Sequence, residues 1–174
     1  MPSPLERLHI EVETIAQSDS PSLMFTAVSP EGLPHSATVW FAPTDNLDLL
    51  LFSSPTRVHS QHIERSEFAG QLALVSGALR VDRQRKSHPD QHGLTFEGTA
   101  DRLRDPDEIE SALSRFLLYG TFEESEIDKY LNHPTNEIPP HGVYIIRPNL
   151  WTIFDARLGP NNPDRLINLA WPIQ

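Results

Sequence analysis

Apolar residues recur along the chain with two periods, and the change from one to the other marks out its elements. Leu5, Leu8, Val12 and Ile15 fall three and four apart, as one face of an amphipathic helix requires. Ser3, Pro4 and Glu6 supply a cap, a first helical residue and the acidic half of a capping box, so a helix is predicted over residues 4–17. From Ser22 the period falls to two. SLMFTAVS is apolar at successive positions and predicts a strand buried on both faces. After the turn PEG, PHSATVWFA predicts the returning strand, with His35, Ala37, Val39 and Phe41 on one face and Ser36, Thr38, Trp40 and Ala42 on the other. PTDN turns the chain again, and LDLLLF completes an antiparallel meander.

The third strand runs straight into SSPTRVHSQHIERS, which predicts a helix capped by Ser54 and opened by Pro55. QLALVS is a fourth strand, and Ala78 to His92 reads as a polar loop or exposed hairpin tip. LTFEGTADRLR alternates as a fifth strand, in which Gly98 signals a bulge or a close approach by another group. DPDEIESALSRFLLYG predicts a helix capped by Asp105 and stopped by Gly120, burying Ile109, Ala112, Leu113, Phe116 and Leu117. TFEESEIDKYL predicts another, with Thr121 and Glu124 as its capping box. VYIIRP and LWTIFDA are the last strands, split at Pro148, and residues 157–174 read as a loop-like tail. The sum is a mainly β fold with α additions, an antiparallel six-stranded barrel with peripheral helices. It forms one domain over 1–174, with the barrel at 22–156 and a helical insert at 105–132.

Composition narrows the chemistry. The chain of 174 residues has no cysteine, which removes disulfides and thiolate sites. Its net charge of -10 argues against a general nucleic-acid or membrane-surface binder, and no apolar run approaches the roughly 18 residues of a spanning helix. The N-terminus lacks the layout of a signal peptide, so a cytoplasmic location is expected.

Against that acidity, Arg57 and His59 stand out. They sit in a predicted first helical turn, where the helix dipole favours acidic side chains. Backbone N–H groups, a hydroxyl and a guanidinium together make an anion site. The plainer alternative is an ordinary cap, with Arg57 paired to a surface carboxylate. His59 with His62, and His88 with His92, have spacings that two metal ligands can use, but neither pair has a carboxylate at motif spacing, so no metal site is assigned. Of Trp40 and Phe41 only one can face a barrel interior. The other needs a cover, which a ligand such as a flavin, a second subunit or a helix can supply. LRVDRQRK, Leu79 to Lys86, has four cations and one acid but no interleaved aromatics, and reads as a solvated loop. G-x-S-x-G, G-x-G-x-x-G and the P-loop are absent, and no side-chain acid, base or nucleophile is assigned as catalytic.

The order meander, SSPTRVH, GLTFEGTADRL, helix, WTIFDARLG and late LAW resembles the FMN-binding split-barrel superfamily typified by pyridoxamine 5'-phosphate oxidase, and within it the YhbP-like branch. The resemblance implies a split barrel and a homodimer, with FMN in a groove between subunits and a flavin-dependent oxidoreductase of unknown substrate. F420 and haem are the other cofactors such barrels take. Carried over by position, Thr38, Val39 and Trp40 line the flavin ring, and Ser53, Ser54, Arg57 and His59 hold its phosphate. The sequence departs from the oxidase at Ala37 and Ala42, where that enzyme has basic residues. This departure favours the alternative of a non-catalytic ligand-binding or interaction protein that has lost FMN.

Overall fold

The computed structural model describes residues 2–18, 21–79, 92–132, 140–155 and 158–171. Its elements, in chain order, are α1 (Pro4–Ala16), β1 (Ser22–Val28), β2 (Pro34–Pro43), β3 (Leu49–Ser53), α2 (Val58–Phe68), β4 (Ala73–Leu79), β5 (His92–Arg102), α3 (Pro106–Leu118), α4 (Glu124–Asn132), β6 (Gly142–Asp155) and β7 (Leu166–Ala170). The strands lie in the order β3-β2-β1-β4-β5-β6-β7, and β3 also pairs with β6. That extra pairing closes six antiparallel strands into a barrel and leaves β7 outside, on β6.

Two strands are shared unequally, and this splits the wall. β6 gives Gly142–Ile146 to β3 and Leu150–Phe154 to β7. β2 pairs with β1 along Pro34–Trp40, but with β3 only at Phe41–Pro43. Among the described residues, none therefore pairs as a strand with 34–40 on the side away from β1.

The interior is filled from every strand of the barrel. Phe25, Phe41, Leu51, Phe96, Tyr144 and Trp151 are fully buried there, and α1 adds Leu8, Val12 and Ile15. α1 forms where the sequence placed it, with Ser3 and Glu6 making both halves of the capping box. A second apolar cluster lies on the outside of the wall. Leu50 and Phe52 of β3 and Ala42 of β2 meet Ala112 and Phe116 of α3 and Ile127 of α4. β3 is thus buried on both faces, while the helical insert is fastened to the barrel through one of them.

Several expectations are corrected. β1 is not buried on both faces: Leu23, Phe25 and Ala27 point inward and Met24 is half exposed. Pro148 does not split the last strand. β6 runs through it as 14 residues, and a bulge opposite Gly98 absorbs the proline. The tail contributes β7 in place of a loop. Leu117 is exposed, because the inner stripe of α3 narrows to Ala112 and Phe116. Thr121 does not cap α4. Its hydroxyl turns inward to the Phe41 carbonyl at 3.4 Å, and the helix starts at Glu124 with Glu126 accepting from the Glu123 N–H. The basic stretch at 79–86 and His88 fall, apart from Leu79, outside the described residues.

Candidate functional site

The loop between β3 and α2 departs from its predicted form. Ser54 does not cap the helix. The Arg57 N–H donates to the Ser54 carbonyl at 3.1 Å, which makes Ser54–Arg57 a turn with Pro55 at its second position. The Ser54 hydroxyl stays local, 3.3 Å from the Thr56 N–H and 2.9 Å from the Thr56 hydroxyl. Helix α2 begins three residues later than expected, at Val58. Its N-cap, Arg57, offers no capping side chain, so the first-turn N–H groups are left for something else.

From there the two predicted cations diverge. Arg57 is exposed, and none of the ion pairs among the described residues involves it. His59, one turn face away, is buried. Its Nε2 lies 2.8 Å from the Ser53 hydroxyl, and its ring meets Phe25 edge-on and stacks on His35 at 6.5 Å. Burial lowers its pKa to about 4, helped by the charges of His35, Arg57 and His62. At neutral pH it is an uncharged imidazole. One of the two cations that make the sequence unusual is not a cation in the fold.

These groups sit at one end of a groove of about 570 Å³. All seven residues singled out by position line it: Thr38, Val39 and Trp40 on β2, Ser53 and Ser54 at the end of β3, and Arg57 and His59 at the start of α2. The unpaired edge of β2 forms one wall, which is why side chains from both faces of that strand reach the groove. Trp40 is half exposed while Phe41 is fully buried, as alternation requires. The Trp40 ring meets Phe122 edge-on at 5.4 Å, and Phe122 in turn meets Phe52 at 5.3 Å. Phe122 and His141 complete the far wall. Sequence reasoning missed both. Phe122 lies in the short link between α3 and α4 and His141 just before β6, and Phe116 of α3, packed on Phe52, holds the insert against that wall.

A larger groove of about 690 Å³ lies on the other side of α2, but its guanidinium groups are already engaged. Arg65 pairs with Glu31, and Arg104 makes two hydrogen bonds of 2.9 Å to Glu67. Glu64 on its rim accepts from Tyr144 at 2.6 Å and from Arg102 at 2.9 Å. Burial, then the bond to Glu64, pushes the Tyr144 pKa up. This polar set is internally satisfied, whereas the first groove carries an unpaired guanidinium and uncapped N–H groups. Among the described residues no cluster of histidine and carboxylate side chains is placed to hold a metal, and no helix is long and apolar enough to cross a membrane.

Comparison with known proteins follows the same lines. A family model described as pyridoxamine 5'-phosphate oxidase matches residues 8–148. No curated protein matches the sequence. Among solved structures, the chain is similar to an FMN-binding protein related to pyridoxamine 5'-phosphate oxidase from Nostoc punctiforme. Identity is 12%, coverage 97% of both chains and TM-score 0.60. It is also similar to a haem-binding protein from Mycobacterium smegmatis, with 14% identity and TM-score 0.63, covering 98% of this chain and 59% of that one. A third is HutZ, the haem storage protein of Vibrio cholerae, with 17% identity and TM-score 0.57, covering 81% of this chain and 89% of that one. At such identities the structures speak for the fold alone, and the matches do not single out a branch of the family.

Proposed function

The chain belongs to the pyridoxamine 5'-phosphate oxidase family, and from that premise we propose that it binds FMN in the groove along β2 and serves as a flavin-dependent oxidoreductase. The observation that carries this reading is the placement of an unpaired guanidinium and an uncapped helix start at one end of the bare β2 edge. The residues fit the group. The Arg57 guanidinium, the Ser53 and Ser54 hydroxyls and the first-turn N–H groups of α2 are donors of the kind a phosphate takes. The unpartnered backbone of Thr38, Val39 and Trp40 suits the polar edge of a flavin ring, and the half-exposed Trp40 indole its apolar body. The groove volume lies within the roughly 300–1,000 Å³ usual for small ligands. When bound, the flavin supplies the redox chemistry. The protein binds and orients it and excludes water from one side.

A second copy of the chain completes this arrangement. The outer faces of β1, β2 and β4 expose Met24, Trp40 and Leu74, each about half or more, on one continuous sheet surface. A homodimer formed there would cover the groove from its open side. Incubation with FMN followed by desalting tests the proposal. Retained yellow colour with a flavin spectrum supports it, and a colourless protein whose FMN fluorescence titration is flat overturns it.

Two features favour a second reading, a non-catalytic barrel. Ala37 and Ala42 stand where the resemblance puts the oxidase's basic residues, and His59 is neutral, which leaves Arg57 as the only arginine or lysine lining the groove among the described residues. An anion that binds wild-type protein but not Arg57→Ala, with no redox turnover by any reductant, would select it. The same absorption spectrum separates FMN from F420 and from haem, for which His35 and His141 are the histidines facing the groove besides His59.

A further inference from the structure

Ser53 is 7% exposed, lines the groove, and has one proton to give. Two groups behind it compete for the direction of that proton. The Ser60 hydroxyl, fully buried one residue after His59, donates to Ser53 Oγ at 3.3 Å. The His59 Nε2 lies at 2.8 Å and can either accept from Ser53 or donate to it, depending on which ring nitrogen carries the hydrogen. If Nε2 is bare, the Ser53 proton is spent on His59 and the groove faces a lone pair, which repels an anion. If Nε2 carries the hydrogen, Ser53 accepts from both His59 and Ser60. Its own proton then points into the groove, and every hydrogen-bonding position on the oxygen is filled.

We infer that His59 is a positioning residue that acts through Ser53: as the neutral Nε2–H tautomer it holds the Ser53 hydroxyl as a donor toward a phosphate group in the groove. The inference rests on the anion-site reading above but assigns His59 a different part from direct contact. His59 does not neutralise the ligand. It turns a hydroxyl that could give or take a hydrogen bond into one that only gives. The site would then favour fully deprotonated phosphate oxygens, which are acceptors only, over protonated or neutral groups that need an acceptor in return. The stack of His35 and the edge of Phe25 fix the ring plane that this geometry needs.

The test is a double-mutant cycle on the full chain, read by FMN and by inorganic phosphate titration. Ser53→Ala and His59→Leu should each weaken binding by about tenfold or more, the effect of one hydrogen bond to a charged group. The double variant should bind no worse than Ser53→Ala alone. His59→Gln, whose amide N–H reaches the same place as Nε2, should recover most of the affinity. It also keeps the test intact if the leucine variant does not fold. Nitrogen-15 NMR of the wild-type histidines should report His59 as the Nε2–H tautomer once phosphate is added. Losses that add in the double variant, or an Nδ1–H tautomer in the phosphate complex, overturn the inference and leave the anion site standing. A wild-type protein that binds neither FMN nor phosphate overturns both.

Discussion

Gly98 on β5 and Arg147 on β6 stand so close that a Cβ on the glycine would overlap the Arg147 carbonyl oxygen and lie 2.8 Å from the Pro148 Cα. The register steps from Gly98 opposite Pro148 to Glu97 opposite Leu150, so Asn149 is the extra residue of a bulge. Pro148 has no N–H to give the ladder, and the bulge is where the strand pair absorbs that loss. Beside the Leu150–Ala170 pair, the Asn149 carbonyl accepts from the Trp171 N–H at 2.8 Å, which ties the chain after β7 to the barrel.

Gly98→Ala should therefore cost stability, by about 1–3 kcal/mol for a methyl forced into a filled space. The clash is with backbone, which cannot rotate away. Urea unfolding should show a lower midpoint with an unchanged slope, and an unchanged midpoint would mean that the two strands can separate freely at the bulge.

Arg57 is exposed and has no carboxylate partner among the described ion pairs, so removing it should leave the fold alone. Arg57→Ala is expected to change unfolding free energy by less than about 0.5 kcal/mol. It should weaken FMN binding by about 10- to 100-fold, the loss of one or two charge-assisted hydrogen bonds. Arg57→Lys should recover only part of that, because an ammonium lacks the planar fork. Fluorescence titration of FMN at constant ionic strength gives the numbers.

The pKa of His59, held at about 4 against an ordinary 6.5, gives stability a pH dependence of known sign. Above pH 6.5 the ring is neutral whether folded or not, and its full contribution is present. Between 6.5 and 4 the unfolded chain takes up a proton that the folded chain refuses, so stability falls with pH by up to about 1.4 kcal/mol per unit. Below 4 the loss levels off. His59→Gln should flatten the wild-type curve between pH 6.5 and 4.5 in chemical denaturation, and parallel curves would show that His59 is not the group responsible.

Leu74 lies on the outer face of β4, 62% exposed, on the same sheet surface as Met24. Leu74→Glu should barely affect the folded protomer, since surface substitutions usually stay within about 0.5 kcal/mol. If a second copy packs there, the buried carboxylate should halve the mass seen by size-exclusion chromatography with light scattering. A dimer that survives the substitution would place its interface elsewhere.

Much of the scaffold is legible because local rules and burial agree. Ser3, Pro4 and Glu6 start α1, and Asp105 caps α3 through the Asp107 and Glu108 N–H groups. Phe41 goes in and Trp40 stays out by strand alternation, and Gly98 marks both a bulge and a tight contact. What the sequence hides is decided by distant partners. β7 shows no fully buried position, and exists because the second half of β6 has an edge to fill. Thr121 looks like a cap until Phe41, far away in sequence, offers a carbonyl. At the site, the seven positions do converge on one groove, but the charge of His59 follows from burial against Phe25 and His35. No local spacing encodes that. Ser54 and Pro55 satisfy the rules for a helix start and for a turn equally well, and the turn wins because the Arg57 N–H finds the Ser54 carbonyl.

The bare stretch of β2 has one more consequence, for how the protein behaves in a tube. Among the described residues no strand fills the ladder edge of residues 34–40 toward the groove, and such edges recruit strands from neighbouring molecules. Whatever fills the groove also shields that edge. On the proposed reading, protein loaded with FMN should cloud later on storage than protein without it, and equal turbidity with and without FMN would show that nothing shields the edge.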